Sequence, residues 1–235
     1  MILCGFYASL LATTAVGAIV LSTPAGLSPG DTFRFIFVTS GTTTATHSNI
    51  AVYNNFVTSN SGGATYNGSV VAWKALVSTP STLGLTNVGG FGSAVPVYTV
   101  NGLPVASDMT TTTDVGFYGN PRAPAIVRID GSVSPQTQIW TGMLADGSRW
   151  RIDNYELGGT NENNFTVIGE SNRSDQRGWL GGNFAIQSTS LPIYAVSAPL
   201  TAIPEPKMMG FATGLMVLIL VRCFTKRRHA PSSAY

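Results

Sequence analysis

Two runs without charge, the almost wholly apolar or small residues 2–21 at one end and residues 208–221 at the other, divide this chain into three parts. Only the stretch between them has the polar content to form a water-facing domain. That stretch, residues 26–203, contains no cysteine, because Cys4 and Cys223 both lie in the apolar ends. No disulfide or thiolate metal site can staple it, so its stability must come from a buried core, which a domain of about 180 residues is large enough to supply.

Composition narrows the class. Charged residues make up 10% of the chain, against roughly 25% in an ordinary soluble protein. Gly, Thr, Ser and Asn take their place, a mixture suited to β-structure with many turns. The middle carries eight Lys/Arg against ten Asp/Glu, and residues 204–235 carry five against one. A weakly acidic domain with scattered Arg lacks the clustered cations that phosphate contacts need, so nucleic acid is excluded as a partner. The basic end instead reads as a membrane-topology signal.

The N-terminal run is followed by small residues, and cleavage points with small side chains at the −3 and −1 positions end at Ala18, Ser22 or Ala25. Residues 1–25 therefore read as a signal peptide. No Lys or Arg precedes the run, so the amino terminus alone supplies positive charge; an uncleaved anchor is the alternative. At the other end, Pro204, Glu205 and Pro206 precede the second run, and Arg222, Lys226, Arg227 and Arg228 follow it. Fourteen helical residues rise only about 21 Å, against a bilayer core of about 30 Å. Extending the helix to 208–224, with Arg222 snorkelling, brings the span to about 25 Å. The cationic cluster then stops transfer and leaves the domain outside, while the prolines keep the preceding segment extended.

That order of Pro-Glu-Pro, short apolar helix, Arg cluster and chain end resembles the PEP-CTERM sorting signal. The resemblance covers residues 203–228. It implies processing by an exosortase of an exopolysaccharide-producing Gram-negative bacterium, with the protein held at the inner membrane before processing and at the cell surface or matrix afterwards. Residues 204–228 are then the sorting signal and 229–235 a short tail. A plain tail anchor is the alternative.

Within the domain, residues 33–38 (Phe-Arg-Phe-Ile-Phe-Val) form a strand. Ile50, Tyr53, Phe56 and Val57 share one helical face, which predicts a helix over residues 48–60, capped by Thr46 or Ser48, with Asn49, Asn54 and Asn55 on a solvated face. Residues 70–77 and 95–100 read as strands, 80–92 as a loop, and Asn101-Gly102 as a hairpin turn. Residues 126–129 and 139–144 are strands followed by the turns Asp130-Gly131 and Asp146-Gly147, the second leading to a return strand over 149–152. Residues 158–164 form a polar loop. Residues 183–186 and 191–196 close the domain, with Pro192 placing the last strand near a sheet edge. The expected class is α+β: a single β-dominated domain with one main helix.

The series Trp73-Lys74-Ala75-Leu76-Val77-Ser78, Val95-Pro96-Val97-Tyr98, Ile139-Trp140-Thr141-Gly142 with Asp146-Gly147, Trp179, and Ile193-Tyr194-Ala195-Val196 resembles C-type-lectin-like domains of the endostatin sort and covers residues 32–197. The resemblance implies that fold. The cysteines of the family are missing, as are its Glu-Pro-Asn and Trp-Asn-Asp calcium motifs, so calcium-dependent sugar binding does not carry over.

Little in the domain suggests catalysis. His47 is its one histidine, Gly-x-Ser-x-Gly does not occur, and zinc would need more ligands than His47 supplies. Gly89-Gly90-x-Gly92 follows no strand–helix unit and makes a poor phosphate loop. A glycosidase carboxylate pair would come from Asp146, Asp153, Glu156, Glu162, Glu170 and Asp175; of these, Asp146 suits a turn, Glu162 a polar loop and Asp175 an ion pair with Arg173 or Arg177. Calcium held by residues 161–164 lacks an ordered ligand pattern. The expectation is a non-catalytic surface or matrix protein without metal or cofactor, binding exopolysaccharide through Trp150, Tyr155 and Trp179. A surface glycosidase or lyase and a purely structural matrix component are the alternatives, and core packing is the competing role for Trp140 and Trp179.

Overall fold

A computed structural model describes residues 18–110, 116–118, 121–150, 154–175 and 178–204. The N-terminal apolar run up to residue 17, Glu205, Pro206, the helix expected over 208–224 and Arg222, Lys226, Arg227 and Arg228 lie outside the described residues, as do Asp153 and Arg177. No helix among the described residues is long and apolar enough to cross a membrane.

The described elements run β1 (Val20–Leu21), β2 (Thr32–Val38), α1 (Ile50–Asn60), β3 (Thr65–Tyr66), β4 (Ser69–Val70), β5 (Trp73–Ala75), α2 (Gly84–Val88), β6 (Val97–Thr99), β7 (Pro104–Ala106), β8 (Gln138–Trp140), β9 (Phe165–Glu170), β10 (Asn183–Ile186), β11 (Tyr194–Ser197) and β12 (Leu200–Thr201). The class is α+β, dominated by strands. The main sheet runs β5-β11-β2-β6-β7, with β12 also on β2; smaller sheets are β1-β3-β4 and β10-β9-β8.

β2 organises the core because both of its faces are buried. Side chains alternate across a strand, so Phe33, Phe35 and Phe37 enter one apolar cluster with Tyr53, Val57, Tyr66 and Trp73. Ile36 and Val38 enter another with Met109, Phe117, Tyr118, Trp179, Tyr194 and Val196. Phe37 meets Trp73 edge-on at 4.7 Å, and Phe117 meets Trp179 at 4.8 Å. Between Phe33 and Phe35 sits Arg34, also buried, whose Nη1 donates to the carbonyls of Val88 and Ser197. Burial lowers its pKa from the ordinary value, partly offset by nearby Tyr118.

Where β11 gives way to β12, the ladder on β2 breaks, and the Ser197 hydroxyl fills the gap by accepting from the Phe35 N–H at 2.9 Å. A buried donor left open there would cost about 1–3 kcal/mol.

Helix α1 starts two residues later than expected, and its cap is Asn49, whose Oδ1 accepts from Ala51 N. Tyr53 and Val57, one turn apart, are its buried residues. Asn54 is not merely solvated: its Oδ1 takes the Ala75 N–H, while Asn87 donates to the Ala75 carbonyl and pairs with Asn54. Ala75 lies on the sheet's outer strand β5. Two neutral amides thus occupy backbone groups that an open edge would offer to another chain.

Several expectations need correction. The stretch 70–77 splits into β4 and β5, and the loop at 80–92 contains α2. Arg149 and Trp150 are not in a strand; β8 pairs instead with β9, Trp140 opposite Ile168. The last long strand, β11, is interior, flanked by β5 and β2. Pro192 precedes that strand and uses only its carbonyl, which accepts from Trp140 N, so the missing N–H costs the ladder nothing. The Asn101-Gly102 turn does join an antiparallel pair, β6 and β7, with Gly102 at positive φ.

Buried tyrosines give the fold an alkaline limit. Burial pushes Tyr53 up to about 12 despite a hydrogen bond to His47 that lowers it, and it raises Tyr118 and Tyr194 further in the same direction. An unfolded tyrosine titrates near 10. Between roughly pH 10 and 12 the folded chain therefore holds protons that the unfolded chain has lost. The Tyr53 contribution is complete below about pH 10 and is lost as pH rises through 12, at up to about 1.4 kcal/mol per pH unit. Urea midpoints of the full chain should fall across this window, and Tyr53→Phe should make the fall shallower; an unchanged slope would contradict the assignment.

Candidate functional site

The segment that carries the candidate rings begins where β8 ends. Gly142 follows at positive φ, where an added Cβ would lie 2.7 Å from the Ser78 carbonyl. The chain then turns through Leu144-Ala145-Asp146-Gly147-Ser148. Asp146 Oδ1 accepts from Ser148 N at 2.9 Å and from its hydroxyl at 2.6 Å, and Leu144 N bonds to Ser148 O. Asp130 forms the same turn with Ser132, whose bonds hold the Asp130 carboxyl below its ordinary pKa. The expected turn role of both aspartates is thus visible in their bonds.

After the turn, Arg149 reaches inward. Its Nε lies 3.2 Å from buried Glu156, and its Nη2 donates to Thr79 O. With Arg149 so anchored, Trp150 stays at the surface, 40% exposed. Its ring meets Phe184 edge-on at 5.3 Å and lies 6.3 Å from Tyr155, and Tyr155 lies 4.9 Å from Phe184. Phe184 is 37% exposed on β10, where Ile186 on the same face is also exposed. Tyr155 is positioned by its carbonyl, which accepts from Val167 N on β9. Trp150 and Tyr155, five residues apart, therefore meet Phe184 from β10.

Trp150 also lines an open cleft of about 680 Å³ with Leu144, Ala145, Asp146, Arg173, Gly181 and Gly182. Gly181 lets the backbones close up, since a Cβ there would lie 2.4 Å from Met143 O. Arg173 donates from Nε to Asp175 at 2.6 Å, with Glu170 at 3.9 Å from its Nη1. Asp175, foremost, and then Glu170 raise the arginine's pKa from its ordinary value. The cleft thus sets one indole, Trp150, among small apolar residues with Asp146 and Arg173 as its charged groups, and apolar walls with a few polar groups are common in small-molecule sites.

The structure separates the three aromatic candidates. Trp150 and Tyr155 come together, whereas Trp179 is fully buried between Phe117 and Tyr194 and presents no surface to a ligand. Sequence reasoning missed Phe184; the alternation Phe184, Ile186 on a short strand bounded by Asn183 was the available signal. His47 is exposed, and it is the backbone of His47, not the ring, that bonds the Tyr53 hydroxyl. Glu162 lies exposed in a loop tied by Asn161 to Phe165 N and O. Among the described residues, no group of His, Cys, Asp or Glu could hold a metal ion.

Trp73, Trp140 and Trp179 are buried, so Trp150 should be the tryptophan most open to a quencher in solution. Iodide should quench part of the emission of the full chain, and Trp150→Phe should remove most of that quenchable part while leaving the far-ultraviolet spectrum unchanged. Equal quenching in both proteins would place another indole at the surface. No protein-family model matches the chain, and no curated protein matches it.

Proposed function

We propose that the chain is an exported, membrane-sorted, non-catalytic surface or matrix protein whose domain, of C-type-lectin-like fold, binds exopolysaccharide on the Trp150–Tyr155–Phe184 surface. The observation that carries the binding part is the meeting of exposed Trp150 and Phe184 with half-buried Tyr155 beside an open cleft. Large exposed apolar groups gathered in one place are characteristic of interaction surfaces. Pyranose rings offer C–H faces that stack on aromatic planes, and their hydroxyls can bond rim groups such as Asp146 and Arg173. The fold reading draws support from the single long helix packed against the sheet and from the burial of Trp73, Trp140 and Trp179.

The non-catalytic reading draws support from the tasks the nearby carboxylates already perform. Asp146 holds a turn, Glu170 and Asp175 hold Arg173, and Glu156 pairs with Arg149. Export and processing by an exosortase rest on the Pro204-Glu205-Pro206 motif, the apolar run and the Arg cluster. Pro204 stands exposed where the last strand has ended, a position open to a processing enzyme.

In affinity electrophoresis of the full chain through gels containing neutral or acidic bacterial exopolysaccharides, at least one polymer should retard it. Trp150→Ala should weaken that retardation by roughly thirtyfold, corresponding to about 2 kcal/mol for an aromatic anchor. Uniform indifference to the panel would remove the binding claim, and release of oligosaccharides would favour the glycosidase reading. For the sorting claim, Glu205→Ala expressed in an exosortase-positive host should retain the mass of the C-terminal helix and basic cluster that the parent chain loses. Identical masses with and without exosortase would remove it.

A further inference from the structure

We infer that the processing bond at the N-terminus is Ala18–Ile19, so that the mature domain begins at Ile19; this rests on the export reading. The sequence admits cuts after Ala18, Ser22 or Ala25. The fold does not treat them alike, because residues 19–24 are built into it. Val20 and Leu21 form β1, which pairs in parallel with Thr65 and Tyr66. The Ile19 carbonyl accepts from Thr65 N at 2.8 Å. Leu21 is buried in the aromatic cluster under β2, and Ile19 packs against the same cluster. The Thr23 hydroxyl bonds the Tyr66 hydroxyl at 2.8 Å, and Tyr66 in turn donates to Thr201 O. Pro24 is buried as well.

A cut after Ser22 would delete all of β1. It would open the β3 edge, leave the Thr65 N–H without its acceptor and expose the core that Leu21 covers. A cut after Ala25 would also take Thr23 and Pro24. A cut after Ala18 removes none of these contacts. Ala18 is exposed, and Ile19 is the first of the described residues to pack on the core. Of the three bonds, Ala18–Ile19 is therefore the one whose cleavage leaves β1 and its contacts whole.

The test is N-terminal sequencing of the full chain recovered from the membrane and periplasmic fractions of an exporting bacterium. Ile19 as the first residue is the expected result. Thr23 or Gly26 as the first residue of a folded protein would overturn the inference while leaving export intact. Met1 retained on membrane-bound protein with its domain outside would also overturn it, in favour of an uncleaved anchor. Met1 retained on cytosolic protein would defeat the export reading itself. Bulky residues at the −1 position provide a second check: Ala18→Tyr should abolish processing, whereas Ser22→Tyr and Ala25→Tyr, both at exposed positions, should leave it unchanged. Processing lost in Ser22→Tyr or Ala25→Tyr but kept in Ala18→Tyr would place the bond elsewhere.

Discussion

Phe35 on β2 and Ser197, where β11 ends, are joined by a hydrogen bond although 162 positions separate them. The pairing of β2 with β11 sets the frame for the rest of the domain. Once these two strands lie side by side, β5 can add to β11 and β6 to β2, and the Trp140–Ile193 bridge hangs the β8–β9–β10 sheet from the same frame. Closing so long a loop costs entropy before any contact repays it. With no cysteine in the domain, repayment falls to the two apolar clusters on either side of β2. Topologies dominated by such distant pairings fold slowly.

A chain so poor in charge satisfies its backbone with neutral side chains. Asn49 caps the helix, Asn54 and Asn87 cover the outer strand, and the Ser197 hydroxyl repairs the break in the ladder. Even buried Arg34 is held by carbonyls, one of them Val88 at the end of α2, where cations suit a helix terminus. Short amides and hydroxyls lose less side-chain entropy on ordering than long charged groups, and they carry donor or acceptor without the desolvation cost of an ion.

What could be read in the sequence was local. Residues 33–38 declare a strand by composition, the Ile50–Val57 spacing declares a helix, and Asp130-Gly131, Asp146-Gly147 and Asn101-Gly102 declare turns, because each signal lies within a few residues. What escaped depends on distant partners. β9 follows a polar loop and ends in Gly-Glu, so its pattern is short, and its identity comes from β8 and β10 on either side. Pro192 suggested an edge, but it sits just before the strand, where a missing donor is harmless. Nothing local distinguishes Trp150 from Trp179. Arg149, pinned to Thr79 and Glu156, leaves one indole outside, while Phe117 and Tyr194 enclose the other.

The two ends of β2 have different neighbours. At Thr32 it meets β12 and, through Thr201 and Tyr66, strand β1; residues 20–23 lie beside Ile203 and Pro204 at this pole. At Val38 it meets Tyr194, next to the Ile193 bridge that carries the sheet with Phe184. Seven strand residues put about 20 Å between the poles. Pro204, three residues beyond β12, and the ring-bearing sheet are thus tied to opposite ends of one strand, and the length of β2 holds them apart.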